Sequence, residues 1–293
     1  SKSDSQLSLF LAQDRGYYKD EGLDVELIQI ASAISVKALI GGSRHEFDGS
    51  TGSAMQAIIN GAALKVIMIS NTRAPWNIYS RPEIKTLQDL KGKRIAVTAI
   101  GSNLDQSAGR VLRNHGIDSQ KDIIWQGVGP GTARITALQA GSIDAIVIDP
   151  LTAGDIESKG FNKLIELGDE ARVLIGLVTT DKIIKEKPDV VKSVARAYTK
   201  AIKYYKELSP EARGWLEKQY AELGQPDKAM ATKLYENMAK GWIDVRTITD
   251  AHLKQDIDSL REDLSIKQEF PVDAVFNLSF AKQAAQELEG WKP

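Results

Sequence analysis

Strand-like and helix-like segments alternate through the first half of the chain, and this alternation constrains the fold more than any other feature. Short apolar runs at residues 64–70 and 145–148 are bounded by loops rich in Gly and Ser, and segments with helical periodicity lie between such runs. This β-α-β-α order is typical of a parallel sheet with helices on both faces. Two similar sets follow each other, so the sequence predicts two α/β units.

The predicted elements also suggest how the chain is divided into lobes. Strands are predicted at residues 25–30, 46–48, 64–70, 94–97, 123–126, 145–148 and 173–179. Helices are predicted at residues 7–13, 35–40, 190–206, 211–223, 227–239 and 249–264, with others through Ala57, Val111 and Ile135. The strand at 173–179 would return the chain to the first unit, through a hinge at residues 77–86 and 173–180. We therefore predict lobe 1 at residues 1–85 and 178–293, and lobe 2 at residues 86–177.

Composition excludes several classes of function. The 293 residues carry a net charge of -1, so there is no basic stripe for a nucleic-acid partner. The chain has no cysteine, which excludes a disulfide framework, thiolate catalysis and cysteine metal sites. No apolar run approaches the roughly 20 residues that span a bilayer. The sequence opens at Ser1 without a charged and apolar leader, so we expect either a cytosolic protein or one whose signal peptide has been removed.

Polar loops at the predicted strand ends are the candidate ligand-binding segments. Helix N-termini and strand carboxyl ends favour anions, because free backbone amides and the helix dipole point there. An α/β fold normally has a strand ahead of its first helix; we expect the sequence to begin just after that strand, so residues 3–6 would form a loop of this kind. The candidates in these loops are Ser3, Asp4, Ser5, Gln6, Ser32, Ser50, Thr51, Gly52, Ser53, Gly101, Ser102, Asn103, Gly129 and Thr132. The alternative is that these residues are ordinary helix caps.

Three further side chains are candidates for the site. Asp149 ends a predicted strand, with a turn-forming Asp-Pro pair as the alternative. Arg73 is the best candidate for a bidentate partner to a carboxylate or sulfonate, with a surface charge, the commoner role of such an arginine, as the alternative. Trp76 would cover an apolar part of the ligand near the hinge or, alternatively, pack within the hinge. The ligand itself stays open among sulfonates, nitrate-like ions, aromatic carboxylates and pyrimidines.

No catalytic or metal-binding constellation is visible in the sequence. The histidines at positions 45, 115 and 252 are far apart, and none has a closely spaced ligand partner. The chain lacks both a GxSxG elbow and a GxxxxGK[ST] loop, and the Gly-Val-Gly-Pro-Gly run at residues 127–131 matches a dinucleotide fingerprint only in part. We therefore predict no catalytic residue, no metal and no cofactor.

Three runs of the chain carry a resemblance to a known family. They are DRGYYKDEGLDVEL at residues 14–27, YSRPEIKTLQDLKGKRIAV at residues 79–97 and ALQAGSIDAI at residues 137–146. In the same order, they resemble the opening signature, the crossover and a helix-to-strand motif of the nitrate/sulfonate/taurine family of periplasmic binding proteins. The resemblance covers about residues 6–205. These motifs encode turns and caps, so they report the fold strongly and the ligand weakly.

The resemblance implies a fold and a function. The fold would be the α/β type II periplasmic-binding-protein fold, with two lobes, a hinge and a ligand cleft between them. The protein would be the extracytoplasmic substrate-binding component of an ABC importer, a monomer that captures a small organic anion by lobe closure. Its partners would be that small molecule and a membrane permease, and its location periplasmic, after removal of a signal peptide.

Three alternatives stay open beside that function. A subset of the family is similar to binders of a thiamine-precursor pyrimidine, so the ligand could be a heterocycle. A second relative is a cytosolic enzyme that makes this pyrimidine with a histidine and a cysteine-rich iron motif, whereas this chain has no cysteine. A ligand-sensing domain of a regulator is the third alternative, but no DNA-binding helix pair is attached.

Overall fold

A computed structural model describes residues 7–28, 30, 32–42, 45–154, 156–207, 209–222, 232, 236 and 239–293. Six strands and thirteen helices can be assigned in these residues. The strands are β1 (Phe47–Asp48), β2 (Leu64–Ser80), β3 (Lys93–Val97), β4 (Ile123–Gly127), β5 (Ala145–Ile148) and β6 (Asn162–Thr180). The helices are α1 (Leu7–Asp14), α2 (Tyr17–Asp20), α3 (Ser32–Ile40), α4 (Thr51–Ile59), α5 (Asn103–Asn114), α6 (Gly131–Gln139), α7 (Pro150–Ala153), α8 (Asp181–Glu186), α9 (Pro188–Lys206), α10 (Pro210–Glu222), α11 (Asp250–Asp263), α12 (Val272–Val275) and α13 (Ser279–Glu287).

The described strands pair in the order β1-β6-β2-β5-β3-β4. β3 runs parallel to both β4 and β5, with Ile95 opposite Trp125 on one side and Ala145 on the other. β1 pairs antiparallel with β6, and the last four residues of β2 pair antiparallel with β5. The sheet is therefore mixed, and its parallel part consists of the strands that helices connect.

Contacts between Cα atoms divide the chain into two compact units. We call the described residues of Lys2–Thr72, Leu174–Trp215 and Gly241–Pro293 the terminal unit. The described residues of Arg73–Val173 and Leu216–Lys240 form the middle unit. The unit boundaries fall within β2 and β6, at residues 72/73 and 173/174. The predicted functional lobes, with boundaries at 85/86 and 177/178, stay a prediction.

The core of the terminal unit gathers residues that are distant in sequence. It contains Leu39 of α3, Ile67 of β2, Tyr198 of α9, Ile257 of α11 and Ala284 of α13, all almost fully buried. α9 packs there through apolar positions at helical spacing. The approach of β6 to β2 requires a glycine, because a Cβ at Gly176 would stand 1.8 Å from the carbonyl oxygen of Met68.

The predicted strand at residues 25–30 is wrong. The described part of this segment is extended but belongs to no strand, although its exposure alternates, with Val25 and Leu27 half-buried and Glu26 and Ile28 exposed. The alternation of apolar and polar residues determined which side chains face inward, but a strand also needs a hydrogen-bonded neighbour. No such neighbour lies in the residues that the structure describes.

Two other predicted elements are longer than expected. The strand predicted at residues 64–70 continues to Ser80 and the one predicted at 173–179 begins at Asn162, so residues 77–80 of the hinge segment expected at 77–86 are strand. The predicted strand ended at residue 70 because polar residues such as Asn71 and Asn77 follow, yet both are buried within β2. Most of the helix predicted at residues 227–239 lies outside the described residues.

Candidate functional site

The carboxyl ends of three parallel strands form one edge of the middle unit. Since β3, β4 and β5 run in the same direction, the helices that follow them, α5, α6 and α7, all begin at this edge. The loops between strand and helix are held together there, as the amide of Gly129 after β4 donates to the carbonyl of Thr98 after β3 at 3.0 Å. In parallel sheets this edge is the usual place for ligands.

Arg134 in the first turns of α6 is the most unusual side chain at this edge. It is only 4% exposed, and its Nη1 donates to the Thr98 hydroxyl at 2.6 Å. Its Nε has no hydrogen-bond partner within the described residues. Burial lowers the pKa of Arg134 to about 10, while the Asp149 carboxylate acts in the opposite direction. The guanidinium therefore stays protonated at neutral pH.

The N-terminus of α6 adds backbone donors beside Arg134. The first hydrogen bond of this helix runs from the Arg134 amide to the Pro130 carbonyl at 3.1 Å. The amides of Gly131, Thr132 and Ala133 consequently have no acceptor within the helix. The first residue of α6 also packs closely against α7, because a Cβ at Gly131 would stand 2.5 Å from Cγ2 of Thr152.

Ser102 at the start of α5 does not behave as an ordinary cap. Its hydroxyl makes no capping hydrogen bond, it is buried, and it has no partner in the described part of the chain. By contrast, Thr180 and Thr249 accept hydrogen bonds from the third amide of the helices that they precede. The loop before Ser102 is held by Asp105, whose Oδ2 accepts from the Gly101 amide at 2.6 Å. Ser102 is thus a fixed, buried hydroxyl without a structural partner.

Asp149 forms the turn that the sequence offered as the alternative to a ligand-binding role. Its Oδ1 accepts from the Thr152 amide at 2.7 Å, and both carboxylate oxygens accept from the Thr152 hydroxyl at 2.8 Å. The same carboxylate acts electrostatically on Arg134. Asp149 therefore caps α7 and also places a fixed negative charge near the guanidinium.

The predicted residues of the terminal unit use their polar groups within the protein. The Thr51 side chain is fully buried, and its hydroxyl donates to the Leu174 carbonyl of β6. The Ser50 hydroxyl lies 3.2 Å from that of Ser35, and the Ser50 amide donates to buried Asp48 at 2.6 Å. Gly52 and Ser53 follow in α4, and Gly52 is buried. The ligand roles of these four residues stay predictions.

The remaining candidates lie in different places. Arg73 and Trp76 lie on β2 rather than in a loop; Trp76 is buried, and the Arg73 guanidinium reaches Gly168 of β6, where a Cβ would stand 2.8 Å from Nη2. Gly101, Asn103 and exposed Thr132 share the strand edge with Ser102 and Gly129. Ser3, Asp4, Ser5, Gln6 and the side chain of Ser32 lie outside the described residues.

Arg134 was missed by the sequence-based search for site residues. One local signal points to it, because an arginine in the first turns of a helix opposes the helix dipole and is unfavourable there without a compensating anion. The second signal is that Arg134 follows closely after the glycine-rich residues 127–131, which the sequence had already indicated as a candidate ligand-binding loop. Burial, which makes the residue unusual, could not be read from the sequence.

The family model described as "NMT1/THI5 like" matches residues 5–212 of the chain. Among solved structures, a protein from Bordetella bronchiseptica RB50 is similar with a TM-score of 0.79 and 20% identity, covering 98% of this chain and 94% of that one. The alkanesulfonate-binding protein SsuA from Xanthomonas axonopodis pv. citri, bound to MOPS, is similar with a TM-score of 0.75 and 20% identity, covering 92% and 94%. These similarities show the fold of periplasmic binding proteins and confirm the predicted fold class.

One curated relative is an enzyme. The chain is 24% identical over 231 residues to the 4-amino-5-hydroxymethyl-2-methylpyrimidine phosphate synthase THI11 of Saccharomyces cerevisiae. The alignment covers 72% of this chain and 66% of the yeast protein, just under two thirds of its length.

Across the described residues, no helix is long and apolar enough to cross a membrane.

Proposed function

Because the chain belongs to the NMT1/THI5-like family, we propose that it is the substrate-binding component of an ABC importer. It binds a small organic anion, a sulfonate or carboxylate, at the carboxyl edge of β3, β4 and β5. It works outside the cytoplasm as a monomer and delivers this ligand to a membrane permease. Closure of two lobes on the ligand, which the resemblance implies, is part of the same proposal.

The buried guanidinium of Arg134 is the observation that carries the proposal. Taking a charge out of water is costly unless it is paired and hydrogen-bonded. For Arg134 this cost is offset only in part, because burial outweighs the attraction of Asp149 and Nε lacks a partner in the described residues. An anion that accepts from Nε and from the α6 amides would supply the missing compensation.

The surroundings of Arg134 support an organic anion of modest size. Ser102 offers a buried hydroxyl at the neighbouring helix start, and Thr98 fixes the guanidinium from one side. The SsuA protein with the same fold is named as an alkanesulfonate-binding protein, which is consistent with a sulfonate ligand here. Carboxylates fit the same donors, since they also accept charge-assisted hydrogen bonds from an arginine.

Binding of a thiamine-precursor pyrimidine, or an enzyme reaction that makes it, is the second candidate function. The similarity to the yeast pyrimidine phosphate synthase favours it. A neutral heterocycle would leave the Arg134 guanidinium uncompensated, whereas an organic anion would not. Binding of the pyrimidine in preference to anions would therefore favour this second function.

A thermal-shift screen tests the proposed function. The purified protein is heated with ethanesulfonate, taurine, nitrate, benzoate or 4-amino-5-hydroxymethyl-2-methylpyrimidine, and the Arg134→Met variant is screened in parallel. A ligand at about 100 times its Kd should stabilise the fold by about 2.7 kcal/mol and raise Tm clearly. We expect an organic anion to raise the Tm of the wild-type protein and not that of Arg134→Met.

The outcomes separate the two functions. An anion that stabilises both proteins equally would remove Arg134 from the site. Stabilisation by the pyrimidine alone would contradict the proposed function and support binding of the pyrimidine. Consumption of any probe during incubation, followed by chromatography, would contradict binding without turnover. Ligand recovered unchanged after incubation supports binding without turnover.

A further inference from the structure

A fixed carboxylate lies near the cation of the candidate site. Asp149 is the charged group that acts on Arg134 among the described residues, and it offsets the burial of the guanidinium only in part. The two residues belong to the same unit and to neighbouring strand ends, Asp149 after β5 and Arg134 in α6 after β4. The negative charge of the Asp149 carboxylate therefore also acts on a ligand bound to the Arg134 guanidinium.

Thr152 prevents Asp149 from turning away. The threonine amide and hydroxyl both donate to the carboxylate, at 2.7 and 2.8 Å, so three of its contacts fix its orientation. Thr152 is itself pressed against the start of α6 at Gly131. The negative charge is thus held rigidly beside the helix start that carries Arg134, and a ligand cannot displace it without breaking these bonds.

We propose that Asp149 restricts the site to head groups with a single negative charge and so rejects phosphate monoesters in their doubly charged form. This inference rests on the proposed function, since it concerns the ligand of the same site. The physical reason is that the Arg134 guanidinium and the first amides of α6 together hold one ligand charge, whereas a second ligand charge would add to the repulsion from the fixed carboxylate. A fixed charge of the same sign as an unwanted ligand is an effective way to exclude that ligand.

A matched pair of small probes tests the inference. Ethyl sulfate and ethyl phosphate have nearly the same shape. The sulfate keeps one charge, while the phosphate gains its second near about pH 6, so titrations at about pH 5 and about pH 7.5 compare its two forms. Isothermal titration calorimetry gives the affinity of each probe at both values. The sulfate reports any change in the protein itself, so the ratio of the two affinities isolates the second ligand charge.

For the wild-type protein we expect the affinity for ethyl phosphate, relative to ethyl sulfate, to fall at least tenfold from the lower to the higher pH. Asp149→Asn keeps an oxygen that can accept from Thr152 but loses the charge, so in this variant the fall should shrink to less than threefold. Glu157→Gln is the matched control, because it removes one negative charge from an exposed position of the same unit and leaves Asp149 and its contacts with Thr152 in place. It should keep the full pH-dependent discrimination.

Two results would overturn the inference while leaving the proposed function in place. The first is equal relative affinity for ethyl phosphate at both pH values in the wild-type protein. The second is a full fall in the Asp149→Asn variant, provided that its circular dichroism spectrum matches the wild type. The wild-type titration alone decides the question if the variant does not fold. Failure of both probes to bind the wild-type protein would contradict the proposed function as well.

Discussion

The two units of this protein place similar residues at helix starts and use them differently. In the terminal unit, the hydroxyl of Thr51 is bonded to a neighbouring strand, and that of Ser50 lies against Ser35. In the middle unit, the Ser102 hydroxyl and Arg134 Nε are buried without partners in the described residues. Of these helix-start hydroxyls, Thr51 and Ser50 therefore bond within the fold of their unit, whereas Ser102 has no partner in the described residues.

This difference shows that position at a helix start does not by itself define a ligand site. Buried polar groups are nearly always hydrogen-bonded, so the exceptions need an explanation. A hydroxyl with a backbone partner is already explained by the fold. For the Arg134 guanidinium, whose buried Nε has no partner in the described residues, we propose a ligand, and the variants that follow test this distinction.

Replacement of Arg134 should have the largest effect. Arg134→Met keeps the length of the side chain and removes its charge, so we expect the affinity for the anion found in the screen to fall at least about a hundredfold, since hydrogen bonds to charged groups are strong. The free energy of unfolding should not decrease, because a poorly compensated buried charge is removed. Calorimetric titration and urea unfolding measure the two quantities.

A matched variant controls for net charge. Arg113→Met removes an exposed arginine from the far end of α5 and should leave the affinity within twofold. A hundredfold loss in both variants would mean that long-range electrostatics, rather than Arg134 at the strand edge, determine binding. The contrast between the two units would then lose its main support.

Loss of the Thr51 hydroxyl should affect stability and spare binding. Thr51→Val removes the hydrogen bond from the buried Thr51 hydroxyl to the Leu174 carbonyl, which costs about 1–3 kcal/mol in the free energy of unfolding. Exposed Thr132 provides the matched control, since Thr132→Val should change this free energy by less than about 0.5 kcal/mol. Urea unfolding measures both. If Thr51→Val instead weakened ligand binding tenfold at unchanged stability, the terminal unit would also hold ligand through this hydroxyl.

Removal of the Ser102 hydroxyl should have the smallest of the three effects. Ser102→Ala should reduce the affinity for the anion about tenfold, which corresponds to one hydrogen bond to a charged group. Stability should stay constant or rise slightly, because the hydroxyl is buried without a partner in the described residues. Ser142→Ala, at an exposed serine after α6, serves as the control for calorimetry. Unchanged affinity for Ser102→Ala would limit the site to the Arg134 side of the edge.

Most of the architecture could be predicted because its signals are local. Periodicity and glycine stops located α3, which ends at Ile40 just before Gly41 and Gly42, and the helix α9 that begins at Pro188. The α/β order followed from the same signals, and the family motifs then indicated the fold class correctly. The extent of β2 could not be predicted, because its polar residues are tolerated only through burial and pairing with distant strands.

The candidate site was predicted in its location and only partly in its chemistry. Glycine-rich loops at the ends of β3, β4 and β5 indicated the edge that carries Ser102, Gly129 and Asp149. The sequence could not show that Arg134 is buried or that Thr51 is engaged with a strand 123 residues later. Both facts depend on which distant segments meet, and local patterns carry no such information.

The composition of the terminal core also determines when this protein can finish folding. That core joins Leu39 to Ala284, so its packing includes residues from near both ends of the chain. A growing chain leaves the ribosome from its N-terminus, so α13 emerges after the other elements of this core. Contacts of such long sequence separation form slowly, because a large loop must close before they contribute stability. The terminal unit therefore cannot complete its core until α13 has emerged, whereas the parallel strands of the middle unit have one another as partners earlier in synthesis.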